Sequence, residues 1–222
     1  MSDKNNIREL QATLPANVKL IAVSKTHPPD RVLEVYRLGQ RCFGENKVQE
    51  LVPKYQALPK DIEWHMIGHL QTNKVKYIAP FVSLIHSVDS LKLLQEINKQ
   101  AERCNRIIPV LLQIHIASEE TKFGLSADEA EGLIKDFNIK NLNHIKITGL
   151  MGMATYTDDT STIRKEFSGL KTLFEKFKAY TLSGRIEMTE LSMGMSHDFR
   201  IALEEGSTMV RIGSAIFGAR EA

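Results

Sequence analysis

Eight apolar segments alternate with helical patterns along the chain, and this alternation constrains the fold more than any other feature of the sequence. The segments at 18–23, 41–44, 62–67, 81–88, 107–116, 145–150, 185–191 and 208–212 are short and rich in aliphatic and aromatic residues. Apolar runs of this length are typical of parallel strands that are buried on both faces by surrounding helices. The pattern therefore predicts an α/β protein with eight strands.

Local signals place helices between these segments. Two prolines precede an apolar-periodic stretch that stops at Gly39, which is the usual asymmetry of helix ends. Ser126 and Glu129 form a capping-box pattern ahead of a helix that is expected to reach Phe137. A helix after position 46 is expected to break near Pro53, and a short helix over 4–14 precedes the first strand.

The number of strands and the chain length together select the architecture. No composition shift, low-complexity linker or charge block divides the 222 residues. A single (β/α)8 TIM-type barrel over residues 1–222, with an extra N-terminal helix, is the economical interpretation. A doubly wound open sheet is the rival, but its first turn is usually glycine-rich, whereas the first turn here reads SKTH.

Composition excludes several classes of protein. The 29 basic and 27 acidic residues leave a formal charge of +2 at pH 7, so nothing requires a nucleic acid partner. The sequence has no cationic start followed by an apolar stretch and no apolar run long enough to cross a bilayer, so we expect a cytoplasmic protein with no membrane partner. Cys42 and Cys104 form no CxxC pattern and are expected to be reduced packing residues.

Polar residues collect where the predicted strands end. Active sites of (β/α)8 barrels lie at the C-terminal ends of the strands, and Lys25 follows the first strand at this end. Lys25 has two interpretations. Its ammonium group is either solvated at the rim, or desolvated with a lowered pKa, which would make it a candidate amine nucleophile for a Schiff base.

Two turns of small residues follow strands seven and eight, with the sequences SMGMS at 192–196 and RIGSA at 211–215. Either turn alone is most simply a helix cap. Together they match the recurrent phosphate site of barrels, where glycine lets the backbone approach and N–H groups and hydroxyls hold the anion. A phosphate site facing a lysine at the mouth of a buried strand suggests pyridoxal phosphate, whose aldehyde forms an imine with lysine.

A family resemblance covers essentially the whole chain. It is carried by the stretches AVSKT, FGENKVQE, WHMIGHLQTNK, GLMGM, LSMGMSHD and RIGSAIFG. The chain resembles the pyridoxal phosphate homeostasis proteins, which are relatives of the barrel domain of alanine racemase. The resemblance implies that Lys25 carries the Schiff base with pyridoxal 5'-phosphate and that Arg211 faces its pyridine nitrogen. It also implies that Ser196, Gly213 and Ser214 surround the phosphate.

The implied place of Arg211 bears on function. A fixed cation beside the ring nitrogen disfavours its protonation, so the ring is a weaker electron sink for a carbanion. Racemisation also needs an acid or base on each face of the substrate carbon. In the racemases one of these is a tyrosine from a C-terminal domain, whereas this sequence ends at Ala222, shortly after the eighth strand.

The resemblance therefore favours a pyridoxal phosphate-binding protein that buffers the cofactor or delivers it to pyridoxal phosphate-dependent apoenzymes, without substrate turnover. With no second domain to support a dimer, we expect a monomer. Two alternatives stay open at this point. One is a racemase-like or deaminating enzyme that uses the same Schiff base, and the other is a barrel that binds a different phosphate ester, with Lys25 acting only as a charge.

Three polar residues lie near the expected mouth of the barrel. Asn46 either hydrogen-bonds the pyridoxal hydroxyl or caps the following helix. His65 and His69 have the spacing of a helical metal pair, but the strand pattern and Gly68 break the helix that such a pair needs, so we assign no metal site. His65 is instead expected near the cofactor.

Two larger groups lie near the same rim. The methionines either fill the core or contact a flat ring, and they are Met151, Met153, Met193 and Met195. Three lysines form either a basic patch for cofactor delivery or a solvated helix face, and they are Lys47, Lys74 and Lys76. We assign no catalytic residue. The candidate cofactor-binding residues are Lys25, Asn46, His65, Met151, Ser192, Met193, Ser196, Arg211, Gly213 and Ser214.

Overall fold

The computed structural model describes residues 3–119, 123–136, 141–182 and 184–218. Within them, eight parallel strands form one closed barrel in sequence order, and the eighth strand pairs with the first. The strands are β1 Lys19–Val23, β2 Cys42–Glu45, β3 Glu63–Met66, β4 Leu84–Val88, β5 Ile108–Gln113, β6 Ile145–Met151, β7 Ile186–Ser192 and β8 Met209–Ile212. The chain is a (β/α)8 barrel, which confirms the predicted fold.

Helices surround the barrel, and one of them precedes the first strand, as the sequence predicts. The α-helices are α1 Asp3–Thr13, α2 Pro29–Arg37, α3 Val48–Ala57, α4 Val75–Ile78, α5 Leu91–Arg103, α6 Ala127–Lys135, α7 Thr160–Phe177, α8 Phe199–Glu204 and α9 Ser214–Phe217. Short 3-10 turns occupy Thr72–Lys74 and Lys178–Tyr180. No helix among the described residues is long and apolar enough to cross a bilayer.

Two helix predictions differ in outcome. The capping box at Ser126 and Glu129 is present and starts α6, whereas the proposed burial of Phe137 lies outside the described residues. The predicted break near Pro53 is wrong, because α3 continues through it. An internal proline costs about 3 kcal/mol, but buried residues on both sides, Leu51 and Lys54, hold the helix against the barrel.

The strand β4 is shorter than its apolar segment suggests. It begins at Leu84, whereas Phe81 lies in the turn after α4 and stacks on Tyr55 of α3 with ring centroids 3.8 Å apart. An apolar residue is therefore needed at position 81 for packing against α3, and not for a place in the strand. Periodicity cannot separate these two uses of an apolar residue in a short run.

Two separate apolar regions stabilise the barrel. The larger one fills the space between strands and helices, whereas a smaller cluster contains Leu84, Leu111, Met151 and Met209. These four residues come from β4, β5, β6 and β8, which are not all neighbours, so they meet inside the barrel.

Candidate cofactor site

A cavity of about 460 Å³ lies at the C-terminal ends of the strands. Its volume falls within the range of about 300–1,000 Å³ that is usual for small-molecule sites. The loops after strands at opposite points of the barrel contribute to its wall. Six of the ten candidate residues line it, namely Lys25, Asn46, Ser196, Arg211, Gly213 and Ser214.

The backbone before Lys25 is fixed by a buried ion pair. Ser24 precedes the half-buried Lys25, and its hydroxyl donates to Glu45 Oε1 over 2.6 Å. Lys54 Nζ donates to the same carboxylate oxygen at 2.6 Å and to the Ser24 carbonyl at 2.8 Å. Burial raises the pKa of Glu45, while Lys54 and Ser24 oppose that shift. The sequence prediction missed this pair, since Lys54 lies inside the helix that was expected to break.

The backbone after Lys25 is also fixed. Thr26 has φ +69°, a conformation that is uncommon for a residue other than glycine. Its N–H group donates to Glu50 Oε2 over 2.6 Å, which secures this conformation from α3. Lys25 is therefore flanked by two residues whose positions are set by other elements, and its side chain enters the cavity from a defined point.

Arg211 carries a buried positive charge at the cavity wall. The residue is only 4% exposed, and its guanidinium donates to Ser192 Oγ at 2.6 Å and to the Gly152 carbonyl at 2.9 Å. Burial lowers its pKa to about 10, while the charge of Asp198 acts in the opposite direction. Among the described residues no carboxylate forms a salt bridge with it. Because a guanidinium has five N–H donors, others remain for an acceptor in the cavity.

The two turns of small residues meet at the same wall. The N–H of Gly213 donates to Ser196 Oγ at 3.4 Å, which joins the loop after β7 to the end of β8. A Cβ on Gly213 would lie 3.2 Å from the Val23 carbonyl oxygen, so glycine permits this close packing. With Ser214 beside them, these residues present hydroxyl and backbone groups that can hold an anion.

Asn46 lines the cavity and does not cap the following helix. The N-cap of α3 is Lys47, and no side chain caps it, so the capping interpretation of Asn46 is wrong. The backbone of Asn46 packs tightly against Gly68, where a Cβ would lie 2.3 Å from the Asn46 carbonyl oxygen. Only glycine at position 68 leaves room for the backbone of Asn46 at its place beside the cavity mouth.

The remaining four candidates are buried and do not line the cavity, namely His65, Met151, Ser192 and Met193. Met151 belongs to the cluster inside the barrel, and Met153, two positions later, lines the cavity. Met193 packs in the outer core, and Met195 lines the cavity. Met153 and Met195 lie just beyond the ends of β6 and β7, and a sequence prediction that is accurate to a few residues cannot separate such neighbours.

His86 is a residue that the sequence prediction did not select. Its Nε2 lies 2.9 Å from His65 Nδ1, and its Nδ1 lies 2.9 Å from Ser192 Oγ. Burial is the main cause that lowers the pKa of His65 to about 3 and the pKa of His86 well below its usual range. Both rings are therefore neutral. His86 is distant from Ser192 in sequence, so no local pattern indicates their contact.

Other polar groups have their own partners. His69 contacts Asp89 at 3.1 Å and stacks on Phe123, away from His65. The side chains of Cys42, Glu63 and His65 have metal-binding groups within 4.8 Å of one another, but Lys19 Nζ lies 3.4 Å from Glu63 and supplies a positive charge there. Burial raises the pKa of Cys42 to about 12, so its thiol stays protonated. Lys74 and Lys76 both lie over the ring of Tyr77.

Comparison with known proteins defines the class of this barrel. The family model for the N-terminal domain of alanine racemase matches residues 3–221. A protein of Aquifex aeolicus (strain VF5), named pyridoxal phosphate homeostasis protein, is 42% identical over 204 residues, which is 91% of this chain and 87% of that protein. The chain belongs to the pyridoxal phosphate homeostasis protein family, and the resemblance inferred from the sequence motifs is confirmed.

Solved structures of PipY from Synechococcus elongatus PCC7942 have the same fold. The structure without PLP has a TM-score of 0.90 at 33% identity, and it covers 98% of this chain and 100% of PipY. The structure with PLP bound has a TM-score of 0.87 at 32% identity with the same coverage. The shared barrel therefore extends over almost the whole of both chains.

Proposed function

We propose that the chain binds pyridoxal 5'-phosphate in this cavity and acts in its homeostasis, by buffering the cofactor or delivering it to apoenzymes. The observation that carries the proposal is Arg211, a buried cation at the wall of a cavity that Lys25 also lines. A buried charge is costly unless it is paired, and an electron-rich ligand that accepts its hydrogen bonds lowers that cost. The binding of PLP by PipY adds support.

Different lining residues would bind different groups of the cofactor. Lys25 Nζ would form a Schiff base with the aldehyde carbon, with loss of one water. Ser196, Gly213 and Ser214 would hold the phosphate, with the hydroxyls of Ser196 and Ser214 at the cavity wall as donors. Asn46 would hydrogen-bond the pyridoxal hydroxyl. Four further residues that the sequence analysis selected are buried and would support the residues that contact the cofactor without touching it themselves. They are His65, Met151, Ser192 and Met193.

The same residues argue for retention of the cofactor without turnover. When bound, pyridoxal phosphate supplies an electrophilic aldehyde and a ring that can accept electron density. Arg211 would donate to the ring nitrogen and keep it unprotonated, which weakens that capacity. Tyr156 lines the cavity but is 80% exposed, so its phenol lacks the fixed placement that a second acid or base requires.

The proposal extends to the assembly and the partners. We propose that residues 1–222 act as one pyridoxal phosphate-binding domain, as a monomer in the cytoplasm, and that pyridoxal phosphate-dependent apoenzymes receive the cofactor. The exposed position of the cavity mouth, where Tyr156 and His197 are in contact, would allow release to a partner.

A spectroscopic titration tests this function. Addition of pyridoxal phosphate to the wild-type protein is expected to give the absorption band of an imine, and Lys25→Ala is expected to lose it. Lys176→Ala is the matched control, because Lys176 is an exposed lysine on α7. Absence of the band in the wild type, or its persistence in Lys25→Ala, would contradict the proposal. Transfer is tested by mixing the holoprotein with an apoenzyme and comparing its reactivation with that by free cofactor.

A further inference from the structure

A chain of buried polar groups leads from the cavity wall into the barrel. It begins at Arg211, whose Nη1 donates to Ser192 Oγ, and continues from Ser192 to His86 and from His86 to His65. The contacts measure 2.6, 2.9 and 2.9 Å, and all four residues are at most 4% exposed. The residues come from β8, β7, β4 and β3, so the chain crosses the interior of the barrel.

The direction of these hydrogen bonds follows from Arg211. A guanidinium has donors only, so Ser192 Oγ must accept from it. Within the described residues, the hydroxyl of Ser192 has one other hydrogen-bond partner, His86 Nδ1. The serine proton therefore goes to Nδ1, which must carry a lone pair. The proton of the neutral His86 ring is then on Nε2, and it is donated to His65 Nδ1.

The opposite direction is unfavourable. If His86 carried its proton on Nδ1, Ser192 would accept twice and its own proton would have no acceptor among these contacts. A buried polar group without a partner costs about 1–3 kcal/mol. The hydrogen-bond contacts thus select the Nε2–H tautomer for His86 and, by continuation, for His65.

This chain restrains the guanidinium on one side. Ser192 Oγ and the Gly152 carbonyl hold Nη1 and Nη2. Since a guanidinium is planar, two fixed N–H groups also fix the direction of the remaining donors. Because the Ser192 hydroxyl donates to His86, its oxygen is polarised and is a stronger acceptor for Arg211. His86 therefore contributes to the orientation of Arg211 without touching the cavity.

We propose that His86 and Ser192 are positioning residues that hold the donors of Arg211 toward the ring nitrogen of the bound cofactor. The identity of that acceptor rests on the proposed function, whereas the tautomers and the restraint on Arg211 do not. His65 completes the chain by accepting from His86. His65 and Ser192, which the sequence analysis selected as candidate cofactor-binding residues, thus act on the cofactor through Arg211.

The first experiment uses the protein without cofactor. Nitrogen-15 NMR of the histidine rings is expected to show His65 and His86 as neutral rings protonated at Nε2 from pH 6 to pH 8. In Ser192→Ala, His86 loses its donor at Nδ1, so the Nδ1 resonance of His86 should shift while His69, a surface histidine, stays unchanged. Protonation of His86 at Nδ1 in the wild type, or an unchanged His86 in Ser192→Ala, would overturn the proposal.

The second experiment measures the cofactor itself. His86→Leu and Ser192→Ala are expected to weaken pyridoxal phosphate binding about tenfold, the usual scale of a lost hydrogen bond to a charged group. Both should also shift the ring-nitrogen resonance of 15N-labelled pyridoxal phosphate. His86→Asn keeps an acceptor at the Nδ1 position. It should therefore restore most of the affinity for pyridoxal phosphate and most of the wild-type position of the ring-nitrogen resonance.

The outcomes separate the two proposals. Wild-type affinity and an unchanged ring-nitrogen resonance in Ser192→Ala would overturn the positioning role, even if His86→Leu fails to fold. Equal losses in His86→Asn and His86→Leu would also overturn it, because His86 would then be needed only for packing. If the wild-type protein forms no imine with pyridoxal phosphate, the proposed function fails, and the spectra of the protein without cofactor still decide the tautomers and their link to Ser192.

Discussion

Lys54 and Glu45 form an ion pair of 2.6 Å whose side chains are 5% and 0% exposed, directly behind the residue that precedes Lys25. Charges buried this deeply are expensive to desolvate, so each depends on the other. The pair joins β2 to α3 and holds the Ser24 carbonyl. The position of the proposed Schiff-base lysine is therefore coupled to the stability of the barrel.

Removal of one partner of this pair should be severe. We expect Lys54→Met to lower the free energy of unfolding by about 3–5 kcal/mol, because Glu45 would keep a buried charge without a partner. Urea denaturation measures this change. Lys171→Met is the matched control, since Lys171 pairs with Glu175 at the surface and should cost at most about 1 kcal/mol. Equal losses in the two variants would contradict this account of the buried pair.

Gly68 should be irreplaceable for cofactor binding. In Gly68→Ala the new methyl group would meet the backbone of Asn46, so the loop that carries Asn46 must move. We expect weaker binding of pyridoxal phosphate, measured by titration of the imine absorbance. Gly132→Ala provides the comparison, because Gly132 lies in α6 and the added methyl group would meet no other element within 4 Å. That change should leave binding unaltered and raise stability by about 0.5–1 kcal/mol.

Reversal of the charge at Arg211 should change the chemistry of the ring. In Arg211→Glu a carboxylate would favour a protonated ring nitrogen, which makes the cofactor a stronger electron sink. We expect a red-shifted absorption band and faster exchange of the α-deuterium of added amino acids than in the wild type. Arg200→Glu, an exposed change on α8, is the control. An unchanged spectrum in Arg211→Glu would count against the placement of Arg211 at the ring nitrogen.

Acid should destabilise the protein through the buried histidines. Their folded pKa values lie below the unfolded value near 6.5, so the unfolded chain binds more protons as the pH falls from about 7. Stability is then lost as the pH falls below about 6.5, by up to about 1.4 kcal/mol per pH unit for each histidine. Lys19 and Arg211 add to the shift and Glu63 opposes it at His65.

Denaturation between pH 5.5 and pH 7.5, with the wild type and a His86 variant compared, tests this effect. Carboxyl groups with lowered pKa, such as Glu131, titrate in the unfolded chain near pH 4.5 and contribute below this window. His86→Asn should reduce the slope of stability against pH relative to the wild type. A wild-type slope in His86→Asn would show that His86 does not bind extra protons on unfolding.

The order of strands and helices could be predicted from local patterns. Each strand of a (β/α)8 barrel is buried on both faces and followed by an amphipathic helix, so its apolar run is visible without knowledge of its neighbours. The position of a residue along the barrel axis could not be predicted in the same way. Met151 and Met153 have the same residue type and lie two positions apart, yet Met151 ends β6 inside the barrel and only Met153 lines the cavity.

The sequence by itself determined the barrel, the family and the residues at the ends of its strands, because periodicity, glycine turns and short motifs are local properties of the chain. Only the tertiary structure decided what these residues contact. His86 and Ser192 are 106 positions apart and meet because the barrel closes. Lys54 reaches Ser24 because α3 packs beside β2 and β3, next to the end of β1. Such contacts depend on closure and packing, which no local pattern records.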